Sequence, residues 1–237
     1  MQKSLIYIFL FVLMAGSSQA QIGSYSFSGS SKVLYNDGYG VPWSNSTLYN
    51  TDGSPFYDTS FCIGSIQLTN GKMYGGIKLK LNLEEQKIIF EVEDGKAFVL
   101  SIPVSRVELG CAASSKPTVF RSGFTAIDKQ NDRSLYQVLD SGKVLLLKYT
   151  EIRFKDSKAY NSNDMTRTYR QLPSYYLWVP GKDMVKVSTN ENDLLATLSD
   201  QQKLLNDAIL KEKLKVRKEA DLIKIIALYN RSSVKGS

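Results

Sequence analysis

Ile77, Leu79, Leu81 and Leu83 alternate with Lys78, Lys80 and Asn82, an order that sets one apolar face of a strand against one solvated face. Ile88, Phe90 and Val92 repeat it, and Phe98, Leu100 and Ile102 repeat it again. Asn70-Gly71 and Asp94-Gly95 accompany these runs, and such dipeptides tolerate the positive φ angles of tight hairpin turns. The pattern predicts an antiparallel meander. A second β block spans about residues 118–188. There, residues 135–139 face residues 144–149 across Asp140, Ser141 and Gly142. Residues 167–171 follow, then a break at Pro173, residues 175–179, a turn at Pro180-Gly181 and residues 184–187. Short strands with turns about every 8 to 12 residues suit a sandwich, a barrel or a curved open sheet, and spacing does not separate the three.

After Asn190 the period becomes helical. Leu194, Leu195 and Leu198 form one turn-spaced set, and Leu204, Leu205, Ala208 and Ile209 form a second. Leu222, Ile225, Ile226 and Tyr229 follow the i, i+3, i+4, i+7 stripe of a helix with one apolar face. Each helix therefore needs a surface to bury against, either the sheet or another helix. The fold class expected is mainly β with a C-terminal α-helical segment, an α+β arrangement.

Residues 21–60 break this regularity. They are rich in Ser, Gly, Asn, Asp and Tyr, with turn signals at Asp37-Gly38 and Asp52-Gly53 and a kink at Pro42. The reading is loops with one short strand near residues 33–35. Tyr35, Tyr39, Trp43, Tyr49, Phe56 and Tyr57 interleave with polar residues. Aromatics so placed either stack on sugar rings or pin a loop to a sheet edge, and pinning is the plainer account.

The N-terminus carries an address. Lys3, an apolar run over residues 5–14, and the small residues Ser18 and Ala20 before Gln21 have the order of a secretory signal peptide. The run falls short of the about 20 residues a membrane-spanning helix needs. Cleavage between Ala20 and Gln21 is expected, with the product exported to the periplasm, the cell surface or the exterior. No transmembrane segment is expected after processing. The resulting map is a signal peptide at 1–20, a loop-rich segment at 21–60, an antiparallel β domain at 61–189, helices packing on it at 190–230, and a tail at 231–237.

Export changes what the charge means. The chain holds 30 Lys and Arg against 23 Asp and Glu, a net of +7, and loss of residues 1–20 removes one Lys and leaves +6. Outside the cytoplasm the anionic partners are lipid head groups, lipopolysaccharide or acidic glycans, and nucleic acid is not expected. Lys211, Lys213, Lys215, Arg217 and Lys218 form the densest positive cluster, opposed locally by Glu212 and Glu219. It reads as a connector between two helices. A solvated linker is the plainer account, and contact with an anionic envelope surface or another envelope protein is the sharper one.

Cys62 and Cys111 are a candidate disulfide, because oxidising compartments let such a bond persist. Pairing requires Cα atoms within about 7 Å, and two separate half-buried thiols are the alternative. The chain has no histidine, which removes Ser-His-Asp and Cys-His nucleophile activation and HExxH zinc chemistry. Two cysteines cannot build a Cys-based structural zinc site within one chain. What survives uses carboxylates, Tyr or Lys. Glu84, Glu85, Glu91, Glu93 and Asp94 cluster around one hairpin, and glycoside hydrolysis needs two carboxylates about 5 to 10 Å apart. Glu91 and Glu93 nevertheless share the outward face of a strand and read as solvated. Asn50, Asp52 and Ser54 have calcium-loop spacing without the Glu at the twelfth position. No catalytic, cofactor-binding or metal-binding residue is assigned, and no cofactor is expected. Asn45-Ser46-Thr47 and Asn230-Arg231-Ser232 match the N-glycosylation pattern.

The run LYQVLDSGKVLLLKY from Leu135 and the ending KEKLKVRKEADLIKIIALYN together resemble a family of exported Bacteroidota-type proteins with no known activity. Gly53-Ser54-Pro55, the Asn70-Gly71-Lys72 turn, a Lys-rich link and a terminal helix ending in Tyr229-Asn230 are similar to that family's layout. The likeness covers most of residues 53–230. It implies an envelope or secreted location and brings no ligand, activity or site residue, and Cys62 and Cys111 are not part of the pattern. The expectation is a non-enzymatic binding or scaffold module. The alternatives are a His-free glycan hydrolase built on carboxylates and a carrier holding an apolar ligand between sheet and helices.

Overall fold

A computed structural model of the chain describes residues 29–44, 50–112, 115–158 and 164–232. The signal peptide, the junction at Ala20 and Gln21, the Asn45 sequon and residues 233–237 lie outside the described residues.

Among the described residues, twelve strands form one sheet. They are β1 (Gly40–Pro42), β2 (Asn50–Asp52), β3 (Cys62–Leu68), β4 (Met73–Asn82), β5 (Lys87–Glu91), β6 (Ala97–Leu100), β7 (Val104–Gly110), β8 (Thr118–Arg121), β9 (Tyr136–Asp140), β10 (Leu145–Lys158), β11 (Met165–Trp178) and β12 (Val185–Lys186). Their order is β1-β6-β5-β4-β3-β7-β8-β9-β10-β11-β12, with β2 laid parallel on β11 beyond that path. The sheet does not close, so of the three architectures the open one is realised. The first half departs from a plain meander. After β6 the chain crosses back, and β7 pairs with the far side of β3.

Alternation does what the pattern requires. On β4, Ile77, Leu79 and Leu81 are buried, and on β5 and β6 so are Ile88, Phe90 and Phe98. With Leu68, Val107, Leu109 and Phe120 they make the first core. Asn82 breaks the alternation, for it is buried rather than solvated. In the second half, β10 and β11 pair without interruption from Leu145↔Trp178 to Lys158↔Met165. The break expected at Pro173 is absent. Proline lacks an N–H, so it suits a strand only where no second neighbour needs one. Here β2 partners only Thr166 to Thr168 on the other edge of β11, and β12 only Tyr176 and Leu177, which leaves Pro173 between them.

Residues 29–60, read as loops, contribute α1 (Ser31–Asn36), β1 and β2. The strand expected near residues 33–35 is this helix. Leu34 N–H bonds to the Ser30 carbonyl and Asp37 N–H to that of Val33, so the segment satisfies its backbone without a partner strand, and Leu34 is wholly buried against the first core.

Three C-terminal helices follow, α2 (Glu191–Thr197), α3 (Gln202–Glu212) and α4 (Glu219–Ser232). The Asn190 side chain caps α2 by accepting from Asn192 N–H. Leu194, Leu205, Ile209, Leu222 and Ile226 pack with Leu146 and Leu177 of the sheet, and with Val144 just before β10, into a second core. Leu204 does not join them and is exposed, because the inward stripe of α3 passes through Leu205 and Ile209. The basic connector is pinned as well: Leu214 and Val216 are buried between outward-facing cations. The opposite face of β9–β11 holds a third, aromatic core of Phe124, Tyr136, Leu147 and Tyr176 under residues 122–134.

Candidate binding cleft

One cleft gathers side chains that are far apart in sequence. It arises where the chain after β2 is laid along the end of β4. Gly53 turns at φ +77, and a Cβ there would lie 2.9 Å from the Tyr169 carbonyl oxygen, so only glycine allows this approach. Phe56 N–H then donates to Ser54 Oγ, Tyr57 N–H to the Leu81 carbonyl at 2.9 Å, and Leu83 N–H to the Pro55 carbonyl at 2.8 Å. These bonds hold Phe56 over the end of β4. The turn beside it is set by Asn82, whose Oδ1 accepts the N–H groups of Glu84 and Glu85 at 3.0 and 3.1 Å. Trp43 is brought in by its own N–H, which donates to the Ala97 carbonyl.

The resulting space, about 460 Å³, is lined by Trp43, Phe56, Lys80, Glu84, Arg167 and Tyr169 among others. Trp43 and Phe56 meet edge to face at 6.3 Å. Lys80 Nζ lies 4.5 Å from the Phe56 ring centre and 5.5 Å from that of Phe61, a cation held over π faces. Burial pushes the Lys80 ammonium below its ordinary pKa, with the charge of Asp58 opposing. Burial likewise pushes the Glu84 carboxyl up, against the pull of Arg167. Arg167 grips Asp156 through Nε and Nη2 at 2.7 and 2.8 Å and lies 3.9 Å over the Phe154 ring. That fork holds the Asp156 carboxyl below its usual range and raises Arg167 further. The arrangement offers flat aromatic surface beside hydrogen-bonding groups of both signs.

Of the residues singled out in the sequence, Trp43, Ser54, Phe56, Glu84 and Glu85 meet here. Tyr35, Tyr39 and Tyr57 do not, and they pin their segment to the first core, Tyr35 at 4.6 Å from Phe98 and Tyr57 at 5.1 Å from Phe120. Tyr49 lies outside the described residues, and Asp94 outside the described side chains. Glu91 pairs with Lys78 at 2.6 Å, Glu93 with Lys32 at 3.8 Å and Glu85 with Lys87 at 2.7 Å. Asn50 and Asp52 sit in β2, not in a loop, so their calcium-like spacing corresponds to no cation-wrapping turn. Cys62 and Cys111 form a disulfide with Cα atoms 4.6 Å apart, placed by the pairing of β3 with β7. Asp58 lies near them in the one metal-ligand grouping among the described residues, but bonded sulfurs are not thiolate ligands. Asn230 is buried and its amide is fully engaged, which keeps a glycan off that sequon in the folded protein.

Lys80, Arg167 and Tyr169 carried no functional signal in the sequence. Lys80 read as one of several outward polar residues, and the other two as ordinary strand positions. The parallel pairing of β2 with β11 helps bring Arg167 and Tyr169 into one lining with Trp43 and Glu84. Comparison of the chain with protein-family models, with curated proteins and with solved structures finds no match. The resemblance to an exported family rests on the sequence motifs alone.

Proposed function

We propose that this chain is an exported, non-catalytic binding module whose cleft at Trp43, Phe56 and Tyr169 receives a polyhydroxylated ligand, a segment of glycan. The observation that carries the reading is that Trp43, Phe56 and Tyr169 line one space together with Lys80, Glu84 and Arg167. Sugar rings present apolar C–H faces and a rim of hydroxyls, which suit ring faces beside charged donors and acceptors. The volume falls within the about 300 to 1,000 Å³ of small-molecule sites. Export is supported by the signal-like N-terminus and by the disulfide, a bond favoured in oxidising compartments. No helix among the described residues is long and apolar enough to cross a membrane.

The absence of histidine and the ion pair that occupies Glu85 favour binding over hydrolysis. One observation favours the hydrolase: Glu84 has the raised proton affinity a general acid needs. Against the carrier reading, the space between sheet and helices is filled by Leu146, Leu205, Leu222 and Ile226, each at most 1% exposed.

Titration with neutral and acidic oligosaccharides, followed by calorimetry and by reducing-end release, tests this. Saturable binding that weakens at least about tenfold in Trp43→Ala, without sugar release, is expected. Release of reducing ends that stops in Glu84→Gln would replace the binding module with the hydrolase. Binding to no glycan in either class would overturn both.

A further inference from the structure

From Lys203 to Lys218 the chain carries six cations, Lys203, Lys211, Lys213, Lys215, Arg217 and Lys218, against two carboxylates, Asp207 and Glu212. All six cations are exposed, and none is held in an ion pair among the described residues. The two acids that follow in the chain do not offset them. Glu219 accepts from the Tyr175 hydroxyl at 2.8 Å and pairs with Lys148 at 2.6 Å, so it is turned onto the sheet. Asp221 accepts from the Lys215 backbone N–H at 3.0 Å. The fold thus engages the nearest carboxylates of α4 and leaves the positive charge facing solvent.

The segment that displays this charge is itself held in place. Leu214 N–H donates to the Ile209 carbonyl at 3.0 Å and Lys218 N–H to that of Lys215 at 2.9 Å, and Leu214 and Val216 are buried in the second core. Lys213, Lys215 and Arg217 alternate with those two anchors and stay exposed. A charged surface already ordered loses little freedom when it meets one of opposite sign.

An apolar neighbour decides what kind of anion fits. Leu210, next to Lys211 near the end of α3, is 67% exposed, the highest value among the exposed large hydrophobics of the described residues. Lys203 lies seven residues before it, two helical turns, so the two share a face of α3 away from the buried Leu205 and Ile209. A soluble polyanion offers such a leucine nothing. A bilayer interface offers anionic head groups to the cations and an apolar boundary to the leucine. A second copy of this chain would bring like charge against like.

We propose that the end of α3 and the connector to α4 form a docking surface for an anionic lipid bilayer, with Leu210 entering the head-group layer and the connector cations facing the phosphates. The attachment is peripheral and reversible, each cation near the surface strengthening it by about fivefold. None of these residues lines the cleft at Trp43 and Phe56, so the surface and the cleft are tested separately.

Co-sedimentation with vesicles tests the surface, using the chain from Gln21 onward because the apolar leader would seek lipid by itself. Vesicles of phosphatidylcholine with phosphatidylglycerol should bind it, vesicles of phosphatidylcholine alone should not, and rising sodium chloride should release it. Lys211→Gln, Lys215→Gln and Arg217→Gln together should weaken binding at least about tenfold. Leu210→Ser should weaken it at least about threefold. All four positions are exposed, so the melting temperature should stay that of the parent. No binding to phosphatidylglycerol vesicles, equal binding to both kinds, or unchanged binding in either variant would overturn the proposal. Soluble polyglucuronate held as tightly as the vesicles, with no loss in Leu210→Ser, would assign the surface to an acidic glycan and overturn it as well.

Discussion

Asn230 and Val144 exchange hydrogen bonds as two paired strands do. The Asn230 side-chain oxygen accepts from Val144 N–H at 3.0 Å, and its Nδ2 donates to the Val144 carbonyl at 3.1 Å and to Asp140 Oδ2 at 2.6 Å. The last turn of α4 is thereby latched to the β9–β10 hairpin. Gly142 sits in that turn, where a Cβ would come within 2.6 Å of the Asn230 side chain. Next to it, Tyr229 donates to Asp200, which also pairs with Lys143 of the same hairpin.

Asn230→Ala should destabilise the protein by about 2 to 4 kcal/mol, because it strands a buried N–H and a buried carbonyl of Val144 together. Urea denaturation measures this. A change below about 0.5 kcal/mol would show that water replaces the amide at no penalty and that the latch contributes nothing.

Ile226 is wholly buried between α4 and the sheet. Ile226→Ala should cost about 2 to 5 kcal/mol and shift a single cooperative transition. Lys215→Ala, on the exposed face of the connector, should cost less than about 0.5 kcal/mol. Separate transitions for helices and sheet would mean that the second core does not couple them.

The disulfide closes a loop across a sequence separation of 49 residues, which on the chain-entropy account is worth about 4 kcal/mol. Digestion without reductant should recover one peptide pair joined through Cys62 and Cys111. Reduction should lower the melting temperature, while recovery of two free thiols under an alkylating quench would remove the bridge.

Glu84 makes a prediction with a definite sign. Its carboxyl ionises near 4.5 in the unfolded chain and later in the fold, because burial penalises the charge. Stability is therefore undiminished below pH 4.5 and falls as pH rises from there through the raised folded value. Glu84→Gln carries no charge and should be more stable than the parent protein near neutral pH, the two converging in acid. Parallel denaturation midpoints across pH 3 to 8 would contradict the burial of this group.

The sequence by itself determined the faces. Period-two alternation at Ile77, Leu79 and Leu81, and the helical stripe at Leu222, Ile225, Ile226 and Tyr229, name the buried side of each element, because those periods are geometric properties of strand and helix. Residue types were equally legible: Trp43, Phe56 and Glu84 stood out before their meeting place was known. Tertiary structure decided the partners. β7 returns to β3, β2 lies on β11, and Pro173 runs through an intact strand, since periodicity states which side of a strand is apolar but not which strand lies beside it. The same limit hid Lys80, Arg167 and Tyr169 from the cleft. Each is an ordinary strand residue until non-local pairing, whose stability comes from the whole sheet rather than from any short segment, sets it against the others.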